Sequence, residues 1–353
     1  LQMGIEYRFM AVLGGVGHVG GAITGALFTK IMEDQLQVLL PKLIGTSGSY
    51  EVIVFGIVLV LVLKYLPDGV WSLIGRHFPT SQRPNTWFNA ERLPERSKPA
   101  MGDVVLDVQK IRKQFGGLVA VNDISFQVKA GQIVGLIGPN GAGKSTTFNL
   151  VTGVLGLTSG TVTFRGEVIS GRPSREIALR GMSRTFQHVK MIPDMTVLEN
   201  VALGAHLRGD KGALSAMLRL DKDEENRLFG EAARQLERIG MAEHMHDLAG
   251  NLAMGPQRLM EIARALCSDP ALLLLDEPAA GLRHKEKQAL AAVLRQLRSE
   301  GMSILLVEHD MDLVMDVTDH IVVMEFGTYL MSGTPAEVQA SELVRAAYLG
   351  TEH

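Results

Sequence analysis

At 353 residues, with 46% apolar and 21% charged side chains, the chain has the length of about two domains and can bury a sizeable core. Its 35 Lys and Arg against 38 Asp and Glu leave a formal net charge of −3, so no global basic field recommends nucleic acid as a partner. The one cysteine, Cys267, excludes an intrachain disulfide framework and a cysteine-cluster metal site; after the helical stretch Ile262 to Leu266 it reads as packing.

Residues 1–75 are rich in glycine and aliphatics. Phe9 to Phe28 contains no Asp, Glu, Lys or Arg and carries Gly17, Gly21 and Gly25 at four-residue spacing, a face that lets helices approach closely in lipid. Val52 to Leu63 is unbroken apolar sequence, and extension through Tyr65 and Leu66 brings it towards the roughly 20 residues that cross a bilayer; a buried core helix is the alternative. Two membrane segments are therefore expected. Lys64, Arg76, Arg83, Arg92, Arg96 and Lys98 follow the second, against Lys30, Glu33, Asp34, Lys42 and Glu51 between the two, which puts the later flank in the cytoplasm. Gly15-Val16-Gly17-His18-Val19-Gly20 fits G-x-G-x-x-G, but no alternation of strand and helix surrounds it, so helix packing or a broken helix is the better reading. Residues 76–102, rich in Arg, Pro, Ser and Asn, read as a linker.

From Asp103 to the end, strand-like runs alternate with helical patterns: Val104 to Val108, Ile133 to Ile137, Leu272 to Leu275, Ser303 to Val307 and His320 to Met324. Such alternation predicts an α/β domain over 103–353 on a largely parallel sheet, interrupted by a mostly helical stretch at about 195–266. At the first strand-to-helix turn stand Gly138, Pro139, Asn140, Gly141, Ala142, Gly143, Lys144, Ser145 and Thr146, a complete G-x-x-x-x-G-K-S phosphate loop. Glycine lets successive amides converge on phosphate oxygens, the helix N-terminus adds partial positive charge, Lys144 reaches the β and γ phosphates, and the Ser145 hydroxyl suits Mg²⁺. The chain is thus expected to bind a nucleoside triphosphate.

Leu272 to Leu275 leads into Asp276 and Glu277, an apolar strand ending in two acids. Asp276 suits the Mg²⁺ shell and Glu277 can polarise a water as general base. Gln187, in Arg184-Thr185-Phe186-Gln187, can hydrogen-bond water or offer its amide oxygen to the metal; His309, after the strand Ser303 to Val307, can contact the γ-phosphate. Alone, Gln187 would read as a surface amide and His309 as a loop residue. His244, His246 and Asp247, on a polar stretch without a further ligand, read as solvated surface.

The ordered series Gly138 to Ser145, Gln187, Leu252 to Pro256, Asp276-Glu277 and His309 resembles the phosphate loop, glutamine loop, signature motif, acidic strand and switch histidine of ABC transporter ATPases. The resemblance implies a P-loop ATPase fold with a helical subdomain, ATP and Mg²⁺ as ligands, and Phe115 stacking on adenine. It also implies two ATPase domains joined head to tail, so that Ala253, Met254, Gly255 and Pro256 complete the partner's ATP site. The serine usual at Ala253 is absent, and Arg283 stands where the family has an aspartate, which bears on hydrolysis rate and coupling.

Phe115-Gly116-Gly117-Leu118, Glu277-Pro278-Ala279-Ala280-Gly281-Leu282 and Ala347-Tyr348-Leu349-Gly350 look like the branched-chain amino acid importers within that family. Residues 1–75, with Gly14-Gly15-Val16-Gly17 and Pro67-Asp68-Gly69, resemble the end of a permease subunit of the same importers; because Leu1 is not an initiator methionine, the tail of a longer fused permease is expected. Permease subunits, a periplasmic binding protein and an inner-membrane location with the ATPase on the cytoplasmic face follow by resemblance. Urea, short amides or other apolar amino acids as cargo, lipopolysaccharide export, a soluble non-transport ATPase and a regulatory module with little turnover stay open.

Overall fold

The computed structural model describes residues 7, 10–15, 19–44, 50–66, 69–74, 86–187, 189–212, 215 and 221–349. Arg8, Phe9, Val16, Gly17, His18, Pro67, Asp68, the start of the linker at 76–85 and Gly350 lie outside them. The chain divides into two compact units, Leu1–Pro84 and Asn85–His353, each considered by itself.

The first unit contains α1 (Val19–Ile44), α2 (Tyr50–Tyr65) and α3 (Trp71–Ile74), preceded by helical residues 10–14. The charge-free stretch Phe9 to Phe28 is not one helix. Its first turns end at Gly15, whose φ of 110° favours glycine, and α1 starts afresh at Val19. A Cβ on Gly14 would fall 1.8 Å from the Gly21 carbonyl oxygen and one on Gly25 2.0 Å from that of Met10, so two backbones meet directly. No described helix is long and apolar enough to cross a membrane, which corrects the expectation of two transmembrane segments. The reason is local: α1 carries Lys30, Glu33, Asp34 and Lys42, and the 16 residues of α2 span about 24 Å against a hydrocarbon core of about 30 Å.

The second unit begins within the expected linker. A single helical turn, Thr86–Asn89, buries Trp87, and an extended stretch then buries Leu93 in the same core as the helices described below. Further along, the Arg96 backbone N–H donates to the Asp269 carboxylate, Arg96 Nη1 donates to the Leu179 carbonyl at 2.9 Å, and Lys98 lies 3.6 Å from Asp269. Two apolar side chains in a polar segment are enough to seat it as a strap.

An antiparallel sheet in the order β2-β1-β4-β5 is formed by β1 (Val104–Phe115), β2 (Leu118–Lys129), β4 (Ser159–Phe164) and β5 (Glu167–Val168). The second sheet runs β10-β9-β3-β8-β7-β6, with β3 (Ile133–Ile137), β6 (Met182–Arg184), β7 (Leu272–Asp276), β8 (Ser303–Val307) and β9 (His320–Glu325) parallel and β10 (Thr328–Gly333) antiparallel at the edge. Val104 to Val108, expected in the parallel sheet, belongs to the antiparallel one. Its burial explains why: β1 keeps many exposed positions, whereas β3, β7 and β8 are buried at every residue, as strands covered on both faces must be.

Three apolar clusters hold these layers. One lies between the two sheets and takes in Phe148 of α4 (Lys144–Val151) and Ile177 of α5 (Ser174–Leu179). A second packs α6 (Val197–Ala202), α7 (Lys222–Arg238), α8 (Met254–Leu266) and α9 (His284–Ser299) with alternate residues of β7 and β8, and includes Cys267. The third joins β9 to α10 (Met311–Val317), α11 (Pro335–Ala340) and α12 (Glu342–Leu349), and reaches Ile137 at the end of β3.

Candidate nucleotide site

Parallel pairing of β6, β7, β8 and β3 brings their carboxyl ends to one edge of the sheet, where open α/β folds bind ligands. Register makes the ends level. Val307 pairs with both Asp276 of β7 and Leu136 of β3, so Glu277, Glu308-His309 and Gly138 leave the sheet side by side. Arg184 at the end of β6 pairs with Leu274 and leads into Thr185 to Gln187.

The loop after β3 turns through glycines with positive φ at Gly138, Gly141 and Gly143. Two of them have no room for a side chain: a Cβ on Gly138 would fall 2.1 Å from the Met324 carbonyl oxygen, and one on Gly143 2.6 Å from that of Ala120. Lys144 is buried, 5% exposed, and its ammonium donates to the carbonyls of Gly138 at 2.6 Å and Pro139 at 2.9 Å. Burial pushes its pKa down, against the raising effect of the Glu277 charge. Ser145 is exposed on the first turn of α4.

The two acids have different surroundings. Asp276 is 5% exposed and accepts from Arg184 Nη2 at 2.9 Å; burial raises its pKa, and Arg184 opposes that rise. Arg184 also donates to Asn149 Oδ1 at 2.6 Å and lies 4.8 Å from the Phe148 ring centroid. Glu277 has a φ of 47°, and its N–H donates to the Val307 carbonyl. One carboxylate oxygen receives Gln187 Nε2 at 2.8 Å, and the other lies 2.8 Å from His309 Nε2. Glutamine, histidine and glutamate, separate in sequence, form one hydrogen-bonded group.

Sequence reasoning passed over Glu308, which is 2% exposed. One of its oxygens accepts from the Ala279 N–H, at 2.6 Å, and the other from those of His309 and Asp310, at 2.9 and 3.3 Å. Its carboxylate ties the turn after Glu277 to the backbone of His309; burial pushes its pKa up, and the three amides hold it down. Arg184 was likewise given no role. For Glu308 the available signal was an ionisable group at the end of an apolar strand, as at Asp276; Arg184 ends the short Met-Ser-Arg strand β6 and carries no such signal.

Phe115 ends β1 opposite Leu118, half-exposed, with Lys113 Nζ 5.0 Å from its ring centroid. Ala253 caps α8, which starts at Met254, three residues before the expected Gln257, so Pro256 falls in the first turn, where proline is tolerated. Among the described residues no hydrogen bond joins 253–256 to 138–146. The motif abuts the turn after β7 and the start of α9. A Cβ on Gly281 would fall 2.7 Å from Met254 Sδ, and one on Gly255 2.8 Å from Glu286 Oε1, while Glu286 Oε2 accepts from the Arg283 N–H at 2.8 Å.

The glycine cradle, the buried lysine and the oxygen donors of Ser145 and Asp276 fit a nucleoside triphosphate with a hard divalent cation, and with the two-sheet fold they define an ABC-type ATPase. The ABC transporter family model matches residues 121–280, and that of the branched-chain amino acid ATP-binding cassette transporters matches 330–353. Over 253 residues, 71% of this chain and 99% of the relative, the sequence is 44% identical to the high-affinity branched-chain amino acid transport ATP-binding protein LivG of Salmonella typhimurium and 42% identical to BraF of Pseudomonas aeruginosa. A nucleotide-free ATP-binding cassette from an ABC transporter superposes with a TM-score of 0.62 at 30% identity, covering 69% of this chain and 98% of that one. The ADP conformation of the cassette MJ1267 gives the same score and identity, covering 70% and 99%. The chain belongs to the family of ABC transporter ATP-binding proteins that includes LivG and BraF.

Proposed function

We propose that this chain is the ATP-hydrolysing subunit of an importer of branched-chain amino acids, acting at the cytoplasmic face of the inner membrane. The observation that carries the reading is the Gln187–Glu277–His309 group, level with the phosphate loop. Bound ATP supplies the phosphoryl group, and Mg²⁺ compensates its charge. Lys144 exchanges the Gly138 and Pro139 carbonyls for phosphate oxygens. Ser145, Asp276 and the Gln187 amide oxygen would hold the cation. Glu277 is the general base, oriented by His309, and Phe115 stacks on adenine. Ala253, Met254, Gly255 and Pro256, which make no hydrogen bond to the loop of their own chain among the described residues, serve the ATP site of a second ATPase subunit arranged head to tail.

Permease subunits and a periplasmic binding protein complete the importer. The division into 1–75, a linker at 76–102 whose residues 86–98 are strapped onto the unit that follows, and an ATPase domain at 103–353 with a helical subdomain at about 195–266 belongs to the same proposal. Exposed Ile23, Leu27, Ile57, Val60 and Leu63 support reading residues 1–75 as a permease fragment that packs against further apolar partners. The names of LivG and BraF favour branched-chain cargo, whereas Ala253 and Arg283 favour low turnover as a second reading. Glu277→Gln should abolish ATP hydrolysis and preserve ATP-dependent dimers, measured by phosphate release and light scattering. Unchanged turnover would refute the assigned base.

A further inference from the structure

Three ionisable side chains of α8 take no part in the catalytic reading, although two of them are nearly sealed from water. Arg258 is 7% exposed and Glu261 2%, and with Arg264 they stand at three-residue spacing, so each neighbours the next on the helix surface. Glu261 Oε2 accepts from Arg258 Nη1 at 3.4 Å, and Oε1 accepts from Arg264 Nη2 at 3.3 Å and from the Lys190 backbone N–H at 2.9 Å. The same Arg258 Nη1 donates to the Phe186 carbonyl at 3.3 Å, and Arg264 Nη1 to the Lys190 carbonyl. The helix therefore grips backbone on both sides of Gln187. The Phe186 carbonyl belongs to the peptide bond that enters Gln187, whose side-chain amide donates to Glu277. Arg258 Nε is buried and makes no hydrogen bond among the described residues. Such a buried, unpaired donor is rare and needs a reason; the aim of Nη1 at both the carboxylate and the Phe186 carbonyl supplies one.

We infer that Glu261 is a positioning residue for Gln187: it holds Arg258 against the carbonyl before Gln187 and the Lys190 amide after it, and so fixes the backbone from which the Gln187 side chain reaches Glu277. This rests on the ATPase reading and adds to it a residue of α8 that touches none of the reacting groups. Both carboxylate oxygens are engaged by donors. An amide in its place must present its NH₂ to one of them, and Arg258 then loses either its charge partner or its aim. Gln187 and Lys190 are themselves exposed, so packing around them cannot replace the hold that α8 provides.

The test takes the full chain through a double-mutant cycle read by steady-state ATP hydrolysis. Glu261→Gln should lower kcat about tenfold with KM for ATP within about twofold, because Gln187 is displaced and the phosphate loop is not. In a Gln187→Ala background the same change should cost less than about twofold, since the residue it positions is gone. Arg258→Met leaves Glu261 its Arg264 and Lys190 partners; it should behave alike, and it carries the cycle if Glu261→Gln does not fold. Glu231→Gln is the control: equally buried but held by Arg234 on α7, it should leave kcat per folded enzyme within about twofold. Without nucleotide, the Lys190 amide hydrogen should exchange faster in Glu261→Gln. A tenfold loss repeated on Gln187→Ala, or kcat unchanged in both Glu261→Gln and Arg258→Met, would overturn the inference. If the unsubstituted chain hydrolyses no ATP, the ATPase reading fails first and the inference with it.

Discussion

Replacing Arg184 by methionine removes the charge partner of a buried carboxylate while keeping an unbranched side chain against Phe148. The Asp276 side chain is 6% exposed and that of Arg184 16%. Removing one partner of a buried pair costs about 3–5 kcal/mol, and the partial exposure of Arg184 selects about 3. For a unit of this size that is a Tm loss of about 6–12 °C. The pH dependence has a definite sign. Burial raises the Asp276 pKa and Arg184 opposes the rise, so Arg184→Met moves it further up. A carboxylate raised on folding contributes stability below its unfolded value, here 3.8, and loses it as pH rises through the folded value. The deficit should therefore be full at neutral pH and shrink on acidification. Urea and thermal unfolding of Arg184→Met, Asp276→Asn and the double variant, over a pH series, measure the coupling directly. A coupling of about 2 kcal/mol is expected, whereas additivity within about 0.5 kcal/mol, or a deficit independent of pH, would refute the buried-pair argument.

Glu308→Gln sets an amide NH₂ against a peptide N–H that the carboxylate now accepts; turnover should fall about tenfold with KM for ATP within about twofold, and steady-state kinetics decide it. Trp87→Ala should cost the ATPase unit about 3 kcal/mol, the lower end for a large buried aromatic, because Trp87 keeps 8% of its surface exposed. An unfolding free energy unchanged within about 0.5 kcal/mol would return residues 86–98 to the status of a free linker.

What the sequence made legible was chemistry attached to unbroken apolar strands. Leu272 to Asp276 and the run from Ile133 into the glycine loop each announce a strand, its end and the group displayed there. Hidden features depend on distances across the fold. Nothing local marks Arg184 as the partner of Asp276, 92 residues away, or Trp87 and Leu93 as anchors in a segment with linker composition. The apolar count over residues 9–28 could not register the backbone break at Gly15, and so suggested a span where the helix stops.

The two departures from the family pattern, Ala253 and Arg283, looked independent in sequence. In the fold Glu286 accepts the Arg283 backbone N–H and lies against Gly255, two residues after Ala253 at the start of α8. A carboxylate beside that helix N-terminus already interacts with the partial positive charge that an incoming phosphate would use. Losing the serine hydroxyl at Ala253 and gaining a cation at Arg283 therefore fall at neighbouring helix starts: one change removes a donor, and the other adds positive charge to the residue whose backbone N–H that acid accepts. Their effects on turnover should be coupled, so that restoring serine at 253 alone recovers less activity than restoring it together with aspartate at 283.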